Sequence, residues 1–174
     1  MKLFWAPILQ KGICLFRKRK NLLKNVSLFI FLFLSITIIA SCGGKQQIKV
    51  SLESSKYLNL DDAGYPLPVI VRVYFLKGKD SMEKADFVSL WKSEQDILGE
   101  DLVDRKEIIL LPDSSIDMQL EIDPEKGVKY IGIMALFRKP HGDNWRQIMS
   151  IKKPKVKSIK ITAHERSIKV VELK

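Results

Sequence analysis

The chain has 174 residues, 30 Lys and Arg against 20 Asp and Glu, a formal charge of +10 and two cysteines. That length supports one domain with a real core and is too short to expect two. Lys2, Lys11, Arg17, Lys18, Arg19, Lys20 and Lys24 all precede Cys42, where no acidic residue occurs, so 30 − 7 = 23 basic residues face 20 acidic ones from there on, a charge of +3. The positive charge therefore belongs to a leader, and the remainder is an ordinary folded domain with no nucleic-acid partner expected.

Residues 26–40 carry no charge and are dominated by Leu, Ile and Phe. A bilayer-spanning helix needs about 20 apolar residues, so this run reads instead as the apolar region of a signal peptide behind a basic one. Residues 1–24 are long for such a basic region. The run closes on Ile39-Ala40-Ser41-Cys42, which resembles the lipobox of bacterial lipoproteins: small residues for the peptidase, then a thiol that carries the lipid. Residues 1–41 are thus expected to be a lipoprotein signal peptide, 42–47 a lipidated tether and 48–174 the folded domain. Cys42 would leave that domain without a second cysteine, so its stability comes from packing and not from a disulfide.

After the tether, Ile48, Val50 and Leu52 alternate with Lys49, Ser51 and Glu53, the period of a strand with one buried face. Residues 56–64, with Asn59, Asp61, Asp62 and Gly64, form a turn-rich first loop. Residues 67–76 are apolar on both faces, as in a central strand whose outer side is partly covered. Between Ser81 and Leu98 the period changes to three and four, with Ala85, Phe87, Val88, Leu90 and Trp91 expected on the buried face of a helical insertion. Ser81 or Asp86 would cap it, and Gly99 would close it.

Strands are then expected over 106–111, 116–122, 129–138, 145–151, 155–162 and 167–173, the last two as a hairpin around 163–166. About eight short strands in one domain point to an all-β sandwich with a small helical insertion after the second strand. Lys152, Lys153, Lys155, Lys157, Lys160 and Lys169 read as the solvent face of edge strands more readily than as a patch for phospholipid head groups.

The chemistry-bearing residues are sparse. His141 and His164 sit in separate turns without a metal-ligand partner at helical or strand spacing. Nucleophile elbows, phosphate-cradling loops and dinucleotide turns are missing, so no enzyme is expected. Asp61, Asp62 and Asp123 lack the dense spacing of a calcium loop and read as turn formers. No cofactor, metal or small-molecule substrate is expected, and the loops of the sandwich are the places for a partner.

Several segments together resemble the type VI secretion outer-membrane lipoproteins, the TssJ (SciN or VasD-like) family. They are residues 59–68 leading into 69–76, then 86–91, 96–102, Leu111-Pro112, residues 135–138 and Trp145-Arg146. The resemblance implies a transthyretin-like β-sandwich with the helical insertion, lipidation at Cys42, and a place on the outer membrane facing the periplasm. It further implies docking on the periplasmic domain of a TssM-like (IcmF-like) inner-membrane protein through the loop 56–66. Asn59, Asp61, Asp62, Gly64 and Tyr65 are the implied partner-binding residues. Phe75 stands where that family often has Gln, and Asp113 where it often has Gly. A periplasmic lipoprotein binding sugar or peptide with the same sandwich is the alternative.

Overall fold

The computed structural model describes residues 45–151 and 158–173, all within one unit, Gly44–Lys174. The expected signal peptide, Cys42, and Lys152, Lys153, Lys155 and Lys157 lie outside the described residues.

Among the described residues eight strands and three short α-helices follow in order: β1 (Gln46–Ser54), β2 (Val69–Leu76), α1 (Asp80–Lys84), α2 (Phe87–Lys92), α3 (Glu94–Leu98), β3 (Leu102–Leu110), β4 (Ser115–Ile122), β5 (Tyr130–Ala135), β6 (Arg146–Ser150), β7 (Ser158–Ala163) and β8 (Ile168–Leu173). The strands form two four-stranded sheets, β4-β1-β7-β8 and β3-β2-β5-β6. Neighbours pair antiparallel except β1 and β7, which run parallel. No local signal announces that parallel pair, because its crossover spans five intervening strands.

The inner faces follow from the period of two. Ile48, Val50 and Leu52 of β1, Leu120 and Ile122 of β4, and Ile159, Ile161 and Ala163 of β7 belong to one buried core with Val69, Val71, Val73 and Phe75 of β2 and Ile131, Ile133 and Ala135 of β5. Burying such side chains is the main favourable contribution to folding.

β2 is apolar on both faces because its outer side also carries a layer. Tyr74, Leu76 and Met134 are fully buried there together with Met82, Leu90 and Leu98 from the helices. Gly132 leaves the space in which Met82 lies, since a Cβ at that position would meet the Met82 sulfur. Arg146 ties the helices down from β6, donating from Nη1 to the carbonyls of Met82 (2.7 Å) and Ala85 while its guanidinium lies 4.7 Å from the Trp145 ring centre. Trp145 in turn packs edge-on against Phe87 with ring centres 5.3 Å apart.

The helical insertion is present, but its buried face differs from the expected one. Three helices replace a single one: Asp86 caps α2 by accepting from Ser89 N (3.0 Å), and Ser93 and Gly99 end the last two. Each break rotates the face that meets the sheet. Met82, Leu90 and Leu98 are buried, whereas Val88 and Trp91 remain 50% and 45% exposed. Ser81 does not cap α1; its hydroxyl donates to Asp101. β3 begins at Leu102, ahead of the expected 106, because the charged run 104–107 is an edge strand and not a loop.

A polar clamp fastens α3 to the sheet. Glu94 accepts from the Tyr74 hydroxyl (2.9 Å), from Arg72 (3.2 Å) and from Arg105, while Arg72 also reaches Glu107 (3.0 Å) and the Trp91 carbonyl (3.0 Å). Burial pushes the Tyr74 phenol well above its ordinary value, and the Glu94 carboxylate adds to the shift.

Candidate loop-end docking site

Strand direction gathers four connections at one end of the sandwich. β1 and β7 run toward it, and β2, β4, β6 and β8 start from it. The segments 55–68, 111–114, 136–145 and 164–167 therefore meet there, while Lys45 lies at the other end, beside Glu121 of β4.

Loop 55–68 is held by its own polar residues. Leu58 is fully buried and anchors it, and the Leu58 carbonyl accepts from Leu67 N (3.1 Å), closing the loop at its base. Asn59 is 7% exposed and has φ +48°, a left-handed conformation that Asn tolerates better than most residues. Its Nδ2 donates to the Pro68 carbonyl (2.9 Å), its Oδ1 accepts from Arg138 N (2.8 Å), and its own N–H donates to the Glu165 carbonyl (2.9 Å). One residue, through its side chain and its backbone N–H, thus joins three of the gathered segments.

Beyond Asn59 the chain makes a compact turn. Asp61 Oδ1 accepts from Ala63 N (2.9 Å) and Tyr65 N (2.8 Å), and Asp61 N donates to the Tyr65 carbonyl (2.9 Å). Such side-chain acceptance from the following backbone is how Asp stabilises turns. Gly64 has φ +86° with open space around it, so its backbone conformation and not crowding favours glycine. The turn presents Tyr65 outward, 69% exposed.

Asp62 faces sideways instead. Its carboxylate pairs with Lys139 and Arg138, and these hydrogen bonds, Lys139 first, hold it down to about 2. The opposite turn, 111–114, is joined to the loop's entrance: Ser54 Oγ donates to the Leu111 carbonyl (2.6 Å) and Asp113 N to the Ser55 carbonyl (3.3 Å). Asp113 has φ +53°, the reason glycine suits that position.

Asn59, Asp61, Asp62, Gly64 and Tyr65 thus come together on one loop with different duties. Asn59 is an internal brace, Asp61 and Gly64 shape the turn, Asp62 clamps a neighbouring loop, and Tyr65 is the projecting side chain. Lys139 and the 164–167 turn are members of this end that the sequence reading did not include. Their only signal was turn composition, which does not say which turns meet. Among the described residues no group of three His, Cys, Asp or Glu side chains is placed to hold a metal ion.

The family models and the solved structures gave matches to type VI secretion proteins. The family model described as type VI secretion lipoprotein, VasD, EvfM, TssJ matches residues 46–166. The T6SS lipoprotein TssJ1 from Pseudomonas aeruginosa is similar in structure with a TM-score of 0.69 at 26% identity, covering 75% of this chain and 98% of that one. Serratia marcescens Lip, a membrane-bound component of the type VI secretion system, has a TM-score of 0.64 at 20% identity, with 72% and 96% covered. A chain in a structure of the T6SS protein TssM C-terminal domain from EAEC has a TM-score of 0.64 at 22% identity, with 75% and 100% covered. The comparison with curated protein sequences gave no match.

Proposed function

The chain belongs to the type VI secretion lipoprotein (TssJ) family, and from that premise we propose that it is anchored by lipid on Cys42 in the outer membrane and docks a TssM-like inner-membrane protein through loop 56–66. The domain faces the periplasm, and its role is to hold and recruit, not to catalyse.

The observation that carries this reading is the opposition of the two ends. Lys45, three residues after Cys42, lies at one end of β1, and the braced loop lies at the other. Nine residues of strand separate them, about 27–30 Å at the rise of a strand. An acylated Cys42 therefore leaves the loop end pointing away from the membrane. Two or more acyl chains give stable attachment at about 0.8 kcal/mol per buried methylene, without a protein span.

The loop suits docking because it is already ordered. Asn59 and Asp61 fix the backbone before a partner arrives, so little conformational entropy is lost on binding. Tyr65 supplies a large, rigid, amphipathic contact of the kind enriched at binding hot spots.

The test is co-purification of the full lipoprotein with the periplasmic domain of a TssM-like protein from the same organism. Tyr65→Ala should weaken that association at least tenfold while leaving the melting temperature unchanged. Unchanged association would remove the loop assignment. For the anchor, Cys42→Ser should abolish labelling by a fatty-acid probe, and persistent labelling would contradict it.

A further inference from the structure

Edge strands are usually guarded by charge, because an unpaired row of N–H and C=O groups recruits other chains. Here β4 bears Asp117 and Glu121 along its length, β6 is half-buried over residues 146–149, and β8 interleaves Val171 and Leu173 with Lys169 and Glu172. The lower half of β3 carries Asp104, Arg105, Lys106 and Glu107.

The upper half of β3 is different. Residues 108–111 read Ile-Ile-Leu-Leu, and Ile109 and Leu111 are 63% and 54% exposed. β3 ends its sheet, so among the described strands only β2 pairs with it. Ile109 stands opposite Ile70 on the outer face, one step along from the Arg72–Glu107 pair, and Arg72 donates to the Trp91 carbonyl. This brings exposed Trp91, and Val88 one turn before it on α2, to the same side as Ile109. Arg72 and Arg105 beside the strip are paired with Glu94 and Glu107, and Lys92 lies over the Trp91 ring, so exposed apolar side chains border the edge of β3.

We propose that residues 108–111 are a strand-addition edge, taking an extended, uncharged apolar segment of the same periplasmic partner. This rests on the docking reading above, and continuity singles out that partner. The Leu111 carbonyl is bonded to Ser54 Oγ and the Ser55 carbonyl to Asp113 N, so the strip runs directly into the entrance of the docking loop. A strand fits where a helix does not, since only a strand satisfies the free backbone groups of β3 while laying alternate side chains over Ile109 and Trp91. Lys45, with only two residues between it and Cys42 in the chain, lies at the opposite end of the domain, so the occupant is not this chain's own tether.

The test uses the full lipoprotein in detergent and the partner's periplasmic domain. Ile109→Lys combined with Leu111→Lys, both at exposed positions, should lower affinity at least tenfold with no change in melting temperature, and Trp91→Ala should lower it several-fold. Gln119→Lys on β4 should have no effect. On complex formation those amides of residues 108–110 that face away from β2 should exchange at least tenfold more slowly. Normal binding by the unsubstituted chain with unaffected variants, or with unchanged exchange at those amides, overturns the strand contact alone. A change in self-association of the lipoprotein in place of partner binding assigns the edge to a second copy and also overturns it. Failure of the unsubstituted chain to bind overturns the docking reading, and this inference with it.

Discussion

The sandwich carries two appendages without strands, and they are held in opposite ways. The helical layer over β2 and β5 is fixed by what it buries: Met82, Leu90 and Leu98 have essentially no contact with solvent. Loop 55–68 buries one large apolar side chain, Leu58, and is fixed by directed hydrogen bonds from Asn59 and Asp61. Burial is non-directional and hides the residues that provide it. Hydrogen bonding through a few polar side chains leaves the remaining ones, Tyr65 above all, free to face a partner.

If that contrast is right, the two regions respond differently to substitution. Met82→Ala should cost about 2–5 kcal/mol, the range for emptying a packed methionine site, and a urea titration of the whole domain should register it. A loss below about 1 kcal/mol would mean that the helices are only loosely applied. Asn59→Ala should cost about 2 kcal/mol, because it leaves the Arg138 N–H and the Pro68 carbonyl without their partner. It should also speed amide exchange at Arg138, and an unchanged rate there would show that water replaces the brace.

Asp86→Ala removes a helix cap and should lower the melting temperature by less than Asn59→Ala does, with faster amide exchange confined to α2. Hydrogen bonds from Ser89 lower the Asp86 carboxyl, so the cap is strongest in its ionised form. The smallest effect is expected at Asp62, which is lowered from 3.8 to about 2 by Lys139 and Arg138. A depressed folded-state pKa contributes stability that is fully present above about 4 and is lost as pH falls toward 2. The difference in melting temperature between the unsubstituted chain and Asp62→Asn should therefore be small, constant from pH 5 to 7, and mostly lost between pH 4 and 2. A difference undiminished at pH 2 would show that the clamp is steric and not electrostatic.

The legible parts of this protein were those that repeat locally. Strict alternation marked Ile48, Val50 and Leu52, and Ile116, Met118, Leu120 and Ile122, as strands, and all eight strands were found. The turn composition around Asp61 and Gly64 marked the loop whose geometry depends on them. The helical face was misread at Val88 and Trp91 because periodicity assumes one continuous axis, and the breaks at Ala85, Ser93 and Gly99 change that axis. Asn59 was assigned with its neighbours to the partner face, and the structure gives it an internal bracing duty that no pattern within residues 56–66 reveals.

The amino-acid sequence by itself determined the concentration of positive charge ahead of residue 42, the class of fold and the place of the first loop. These rest on composition and on periods of two to four residues, which any stretch of chain carries within itself. Only the tertiary structure decided that β1 and β7 run parallel, that four distant turns meet at one end, and that Ile109 stands exposed on a strand that ends its sheet. Each of these depends on which strands become neighbours. That choice is made by the joint burial of side chains far apart in the chain, so no local stretch records it.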